Sequence, residues 1–336
     1  MRIQPMHDFT ILVLEGAYPS SVALTIDMLS AAAAMSARVG VAAPRWRVRG
    51  VANAVAGPAA VAKVPLSHGL SIDATPLPKT SRADGSIWIV PGLGLDSPAE
   101  LSARLERDDA RVAIKALQAH ARRGGTVAAS CSAVFLLQAA GLLTGRRATT
   151  SWWLAPLLQG LEPACTVDAD RMVLEDRGVV TGGAALAQAD LMLHLVRGRF
   201  GAALADAVSR VLLLDARHAQ APFIVPSLLA SGSDLIANIV AHVESALPAM
   251  PGLSELAARF GMSERTLSRH VRAATGRSTQ DLLQSVRLGR ARTLLATSRM
   301  SVEQIAEQVG YGDATALRRM MRKLVGATPR QFRVGG

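Results

Sequence analysis

Cys131 is the residue in this sequence best placed for covalent chemistry. It follows the short β-like run Thr126 to Ser130 and precedes a helical run from Ala133 to Leu143. A sharp strand-to-helix turn lifts one side chain clear of a sheet, and it needs small neighbours. Ala129, Ser130, Ser132 and Ala133 are all small. A helix N-terminus behind a cysteine favours its thiolate. Pro91-Gly92-Leu93-Gly94 ends another strand-like run, Ile87 to Val90, and offers backbone N–H groups toward an anion or a carbonyl. Spacing alone leaves two readings open, an activated nucleophile and a buried, inert cysteine.

A cysteine nucleophile needs a base within hydrogen-bond reach, usually histidine. The histidines are His7, His68, His120, His194, His218, His242 and His270. His194 sits in an apolar run (LMLHLV) and reads as a core histidine with a partner. The only other cysteine, Cys165, has no partner pattern and reads as structural. Two cysteines do not make a disulfide scaffold, and no Cys/His cluster has zinc spacing. No metal or cofactor is expected, and both thiols are expected to be reduced in a cytoplasm. Trp152 and Trp153 present aromatic faces, which suit a cationic nitrogen. Packing in the core is the other reading of that pair.

A second chemistry is carried by charge. The net charge is +11. From Pro251 to Gly336 there are 15 Arg or Lys against 6 Asp or Glu, a net of +9. The first 250 residues hold 22 against 20, a net of +2. Concentration of the excess in the last quarter points to a polyanion-binding C-terminal module. Half of the residues are hydrophobic and 19% are charged, which excludes a disordered or fibrous chain.

The elements that must position these groups are legible in outline. Phe9 to Leu14, Arg45 to Val51, Ile87 to Val90 and Thr126 to Ser130 read as strands. Residues 20–38, 98–122, 133–143 and 184–214 read as helices, and 166–181 as a hairpin. Alternating β and α pieces imply a mostly parallel sheet with helices on both faces. Residues 124–145 carry no charge and pass a length test for a membrane span. Gly124-Gly125 and the Thr, Ser and Gln within it favour strand, tight turn and helix instead. No signal peptide is read, because Glu15 stops the apolar run Ile11 to Leu14. Pro222, Pro226 and Ser231-Gly232-Ser233 mark a linker, and from Asp234 the chain reads as helical.

An internal repeat lies in the helical part. Leu256-Ala-Ala-Arg-Phe-Gly-Met-Ser263 matches Ile305-Ala-Glu-Gln-Val-Gly-Tyr-Gly312 at an offset of 49. Past the turn the offset is 50, pairing Leu267 with Leu317, Arg269 with Arg319, Arg272 with Arg322 and Gly276 with Gly326. Each copy reads helix, glycine turn, helix. Ser301 with Gln304 has the pattern of a capping box. Between the copies Gln280 to Thr297 forms a long helix, with Leu282, Leu283, Val286, Leu294 and Leu295 on its core side. The second helix of each copy is basic, as in a helix-turn-helix whose second helix enters a major groove.

With its closing Ala327-Thr-Pro-Arg-Gln-Phe-Arg333, this tandem pair resembles the AraC/XylS DNA-binding domain over about residues 234–335. The resemblance implies two recognition helices set in successive major grooves of promoter double-stranded DNA. Carried over by position, base reading falls to Arg265, Ser268 and Arg269 in the first helix and to Ala314, Thr315, Arg318 and Arg319 in the second. Arginine takes guanine O6 and N7 bidentately, whereas Ala314 offers only contact with a thymine methyl. Arg272, Arg322 and Lys323 fall at phosphate contacts, which position without specifying.

The stretch from Cys131 to Trp153 (CSAVFLLQAAGLLTGRRATTSWW) resembles the amidotransferase-like domain of the PfpI superfamily. More closely, it resembles the version fused to AraC-type domains in GlxA-family regulators, over about residues 8–215. It implies an α/β flavodoxin-like sandwich that dimerises, with a small-molecule pocket around the elbow. The pocket positions are Ser21, Gly92, Leu93, Cys131, Ser132, Ser151 and Trp152. In catalytic relatives a His follows the Cys or closes a Thr-Thr-His pattern, and here those positions hold Ser132 and Ser151. An acidic residue often lies near the first helix, where this chain reads Tyr18-Pro-Ser-Ser-Val22. None of the histidines falls at a matching position.

The combined expectation is three segments: 1–215 for effector sensing and dimerisation, 216–233 as linker, and 234–336 for DNA. The resemblances imply a cytoplasmic homodimeric transcription regulator, an activator working with RNA polymerase and away from membranes. Its effector would be an amino-acid-like or otherwise nitrogenous metabolite, and its elbow catalytically degenerate. The alternative is a cysteine-dependent hydrolase or amidotransferase with a DNA-binding appendage, or a redox sensor acting through Cys131 sulfenate.

Overall fold

The computed structural model describes residues 7–51, 61–77, 85–95, 98–214, 220, 233–325 and 328–332. The chain divides into two compact units, Met1–His218 and Ala219–Gly336. The expected linker, 216–233, lies outside the described residues apart from Gln220 and Ser233.

The first unit runs β1 (Phe9–Val13), α1 (Pro19–Ser36), β2 (Trp46–Gly50), β3 (Ala62–Pro65), β4 (Ser71–Pro76) and β5 (Ile87–Val90). It continues with α2 (Pro98–Glu106), α3 (Asp108–Arg122), β6 (Val127–Ser130), α4 (Val134–Ala139), β7 (Arg147–Ala148) and α5 (Ala155–Leu161). Then come β8 (Thr166–Val167), β9 (Val173–Asp176), β10 (Val179–Gly182), α6 (Gln188–Phe200) and α7 (Ala202–Val211). Eight strands form one sheet in the order β3-β4-β2-β1-β5-β6-β10-β9. The six inner strands are parallel, and β3 and β9 are antiparallel edges. The inner order β2-β1-β5-β6-β10 is the doubly wound flavodoxin-like arrangement, in which sites gather at the carboxyl ends of the strands.

Both faces of the sheet are covered, so the central strands read as continuous apolar runs. Side chains alternate between two cores. Ile11, Val13, Ile89, Ala128 and Val180 pack with α1, α6 and α7 on one face. Leu12, Trp88, Val90, Val127, Ala129 and Val179 pack with α3, α4 and α5 on the other. The helical span Pro19–Val39 is long and apolar enough to cross a membrane by length and composition. Its Val22, Met28, Leu29 and Ala32 are instead buried in the sheet's core. Residues 124–145 form the expected strand, turn and helix, but the helix, expected over 133–143, is confined to Val134–Ala139.

Several boundaries differ from expectation. The β3–β4 hairpin was not read from the sequence. The helix expected over 98–122 breaks at Arg107, whose backbone is extended (φ −65°, ψ 150°) and caps a fresh helix with Asp108 and Asp109 in its first turn. Arg104 straddles that break, donating to both Asp109 oxygens at 2.9 and 2.6 Å and to the Glu15 carbonyl. Gly201 (φ +94°) splits the expected helix 184–214 into α6 and α7. The hairpin is β9–β10, turned at Arg177-Gly178 with both φ values positive. Thr166–Val167 pairs with β7 instead.

The second unit contains α8 (Asp234–Ala246), α9 (Leu253–Arg259), α10 (Glu264–Thr275), α11 (Thr279–Thr297), α12 (Val302–Gln308) and α13 (Ala314–Val325). Ser233, Ser263, Ser278 and Ser301 cap their helices by accepting a backbone N–H. Ser301 and Gln304 form the full capping box. The repeat is structural. Leu256, Ala257 and Leu267 of one copy and Ile305, Ala306 and Leu317 of the other are all buried. On α11, Leu282, Val286 and Leu295 are buried, but Leu283 and Leu294 only partly so. Gly261 and Gly310 both adopt left-handed backbone, φ +66° and +74°. Gly326 lies outside the described residues.

The two turns nevertheless differ. A β-carbon at Gly261 meets nothing within 4 Å, whereas one at Gly310 falls 2.3 Å from the Pro248 carbonyl oxygen. Gly261→Ala is therefore expected to cost only the left-handed penalty, about 1–2 kcal/mol. Gly310→Ala adds a backbone clash and is expected to cost more than about 3 kcal/mol. Urea unfolding of both variants tests this; equal losses would contradict it.

Candidate ligand elbow and DNA-reading face

Cys131 sits where β6 ends and a single 3₁₀ turn leads into α4. Its φ is +55°, a left-handed backbone at a residue with a β-carbon, as a strand-to-helix elbow demands. Neighbouring loops close on it. A β-carbon on Gly92 would lie 3.2 Å from the Cys131 β-carbon and 3.5 Å from the Ser21 hydroxyl, so only glycine allows this approach without adjustment. The Ser151 hydroxyl donates to Cys131 Sγ at 3.0 Å. Thr150 Oγ1 donates to the Cys131 carbonyl at 2.7 Å. Ser132 Oγ accepts from the Leu93 N–H at 3.0 Å and donates to the Leu93 carbonyl at 2.8 Å. Ser21, Gly92, Leu93, Cys131, Ser132 and Ser151, six of the seven expected pocket residues, are thus brought together at the carboxyl end of the sheet.

Two expectations are corrected. The expected thiolate is opposed by burial: Cys131 is 4% exposed, and desolvation pushes its thiol up, against smaller lowering by hydrogen bonds from Ser151 and Ser132. The helix behind it, α4, has six residues, and a 3₁₀ turn separates them from the sulfur. Two of the backbone donors expected to face a ligand, at Leu93 and Gly94, are engaged within the chain, as is the N–H of Cys131 itself. The Leu93 N–H goes to Ser132, the Gly94 N–H to the Gly16 carbonyl at 2.8 Å, and the Cys131 N–H to the Gly183 carbonyl at 2.7 Å.

Other residues were invisible to sequence reasoning. Beneath the elbow, Ser130 Oγ donates to Gln188 Oε1 at 2.6 Å, Gln188 Nε2 to Thr25 Oγ1 at 2.8 Å, and Thr25 Oγ1 to the Ser21 carbonyl at 2.7 Å. This chain ties β6 to α6 and α1. Trp152 is buried and Trp153 is 45% exposed, their rings edge to face at 5.2 Å. His194 is not a core residue: its side chain is 40% exposed, with Nε2 2.7 Å from Glu175. The buried histidine is His120, stacked on Trp88 at 4.6 Å; burial lowers its pKa first of all. Cys165 is buried with the second core, its thiol pushed up to about 11 by burial and then by Glu162 and Asp176.

In the second unit, α10 exposes Arg265, Arg269 and Arg272, with Ser268 half-buried between them. Leu267, Val271 and Thr275 bury its opposite face. On α13, Thr315, Arg318, Arg319, Arg322 and Lys323 are exposed, while Leu317 and Met321 are buried. Ala314 is 7% exposed and packs inward, which corrects its expected groove contact. Arg287 of α11 holds the turn before α13. Its guanidinium donates to the Val309 and Gly310 carbonyls and lies 3.9 Å over the Tyr311 ring, while Tyr311 Oη donates to Gln284 at 2.8 Å.

Comparison with known proteins assigns both units. Residues 46–198 match the DJ-1/PfpI family and residues 256–334 a helix-turn-helix domain. The chain joins a DJ-1/PfpI domain to an AraC-type helix-turn-helix domain. It is 28% identical over 278 residues to the HTH-type transcriptional regulator GbdR of Pseudomonas aeruginosa, covering 80% of this chain and 74% of that one. It is 27% identical over 270 residues to the HTH-type transcriptional regulator GlxA of Rhizobium meliloti, covering 80% of each. Over 81 residues it is 41% identical to the HTH-type transcriptional activator RhaS of Klebsiella pneumoniae, covering 24% of this chain and 29% of that one.

The thiols of the DJ-1/PfpI domain set a pH dependence. Both ionise at higher pH folded than unfolded, where the ordinary value is near 9. The unfolded chain therefore binds fewer protons above that value, and stability falls as pH rises. Stability is expected to be complete below about pH 8.5 and to decline from there toward pH 11. Urea unfolding across that range should show the decline in the wild type and a shallower one in Cys131→Ala. An identical slope in the variant would contradict the assignment.

Proposed function

We propose that this DNA-binding transcription regulator senses a small nitrogenous metabolite at a catalytically degenerate elbow and reads promoter DNA through α10 and α13. The observation that carries the sensor reading is the state of the elbow's own donors. An acyl-transfer or hydrolytic cysteine needs a base at the sulfur and free N–H groups for the oxyanion. Here Ser151 occupies the sulfur, and the Leu93, Gly94 and Cys131 N–H groups are bonded within the chain. Among the described residues, the groups that hydrogen-bond the thiol are the Ser151 and Ser132 hydroxyls and the Ser132 and Ala185 backbone amides. Ser132, in the place of a catalytic histidine, instead locks the Leu93 loop to the elbow.

Trp153 supplies an exposed aromatic face two residues from Ser151, which suits a cationic nitrogen. Binding there shifts a homodimer between arrangements of its two tandem readers, and with them its occupancy of promoter half-sites. The regulator acts in the cytoplasm, as an activator alongside RNA polymerase. The names of the relatives given above, HTH-type transcriptional regulators, support the DNA-binding regulator part of this reading.

The DNA half is tested on α10, where the positional assignments separate two arginines. Arg269 faces the groove floor and Arg272 the phosphates. Arg269→Ala is expected to cost roughly 1–3 kcal/mol at a selected site and to relax preference at one or two base pairs. Arg272→Ala is expected to weaken binding to all sequences alike and to lower the salt slope by about one. Binding isotherms on selected and scrambled duplexes at several salt concentrations measure both. Equal loss on both duplexes for Arg269→Ala would place that residue on the backbone. The sensor half predicts that Cys131→Ala keeps apo DNA binding and alters only the effector response; lost binding without effector would count against it.

A further inference from the structure

The two copies of the helix-turn-helix differ at one charged pair. In the second copy, Arg318 Nη2 lies 3.1 Å from Glu303 Oε1. Arg318 belongs to the exposed row of α13 with Thr315, Arg319 and Arg322, while Glu303 stands in the first turn of α12. The repeat offsets place Ser254 and Ser268 at the corresponding positions of the first copy. The first reader therefore has neither the guanidinium nor the carboxylate.

Glu303 is itself held in place. Its carboxylate is kept below the usual range chiefly by its own backbone N–H, with further hydrogen bonds from Ser301 and Arg318. It lies in the first turn of α12, next to the Ser301 cap, and accepts from a long, flexible side chain. A guanidinium has five N–H donors in a planar fork, and Glu303 engages one nitrogen. The remaining donors are free for the bidentate contact with guanine O6 and N7.

We propose that Glu303 is a positioning residue for DNA reading: it fixes the Arg318 guanidinium for a base edge and keeps it from swinging to the phosphates. As a surface ion pair it contributes little to stability. Its effect lies in orientation and in repulsion. A fixed fork has less rotamer freedom to lose on binding. A carboxylate beside the groove opposes the sequence-independent attraction of the phosphates. Glu303 thus trades general affinity for discrimination in the second half-site. The inference rests on the assignment of Arg318 to base reading.

The test uses the full-length protein and a randomised double-stranded DNA library. Sequences are selected separately with wild type, Glu303→Gln, Arg318→Ala and the double variant, and affinities are then measured on selected and scrambled duplexes. Arg318→Ala is expected to abolish preference at one or two base pairs. Glu303→Gln is expected to weaken preference at those same base pairs, to bind scrambled DNA more tightly, and to lower the selected-to-scrambled ratio about three- to ten-fold. The double variant should match Arg318→Ala alone. A merely structural role for Glu303 would shift the melting temperature without changing base preference at particular pairs. Unchanged preference in Glu303→Gln, with preference lost in Arg318→Ala, would overturn the positioning role and leave the reader intact. Unchanged preference in both would remove Arg318 from base reading and the proposal with it. Failure of the wild type to select any sequence would overturn the DNA-reading assignment itself.

Discussion

A left-handed backbone at a residue carrying a β-carbon costs about 1–2 kcal/mol, and the DJ-1/PfpI domain maintains one at Cys131. The surrounding structure over-determines it. The β10 loop accepts the Cys131 N–H, Thr150 donates to its carbonyl, and Ser132 clasps the loop after β5 in both directions. Such strain persists where a fold has a use for it. In a hydrolase the use is to aim a nucleophile at a substrate between free donors. Here the contacts engage the Leu93, Gly94 and Cys131 N–H groups and bury the sulfur. At the elbow, loops from β5, β6, β7 and β10 meet α1, and the Ser130–Gln188–Thr25 chain connects it to two helices on one face of the sheet.

The AraC-type domain shows how duplication permits asymmetry. Both copies share a buried Ala, a left-handed Gly and an apolar face on the second helix. Around this common frame the second copy is more constrained. The Pro248 carbonyl abuts Gly310, Arg287 grips the turn, and Tyr311 is bonded to the long helix α11. The first copy has Met262 where the second has Tyr311, and its Gly261 faces open space. The turn before α13 is thus tied to α11 through Arg287 and Tyr311, and the turn before α10 has no arginine or tyrosine at the matching positions of the repeat.

What was legible in the sequence followed periodicity and punctuation. Central strands buried on both faces, such as Phe9–Val13, announce themselves as apolar runs. The capping box at Ser301 and the glycine turns are local signals that the structure honours. The 49-residue repeat announced two copies of one helical unit, and the charge concentrated after Pro251 announced the exposed arginines on the second helix of each. Less legible were features that depend on contacts distant in sequence. The β3–β4 hairpin is an edge whose half-polar strands lack a clean pattern. The helix break at Arg107 depends on Arg104 reaching Asp109 and the Glu15 carbonyl. His194 looked buried because its neighbours are apolar, yet it turns outward to Glu175. Of the two readings left open for Cys131, burial under Ser151, Gly92 and Ser132 favours the buried one, because a helix-end argument does not see how the loops close over the sulfur. Ala314 shows the same limit, since position in a motif says less than which way the residue faces.

The central claim is that the elbow binds without turning over. The most direct measurement is a thermal-shift screen of the full-length protein against amino acids, betaines and other small amines, followed by mass-spectrometric recovery of any stabilising compound. Ligands that bind only the folded state raise the melting temperature by mass action. The account predicts a compound that stabilises the wild type, changes its DNA occupancy and is recovered unaltered after prolonged incubation. A compound recovered chemically changed from the wild type, but intact from Cys131→Ala, would contradict it and make the elbow an active site.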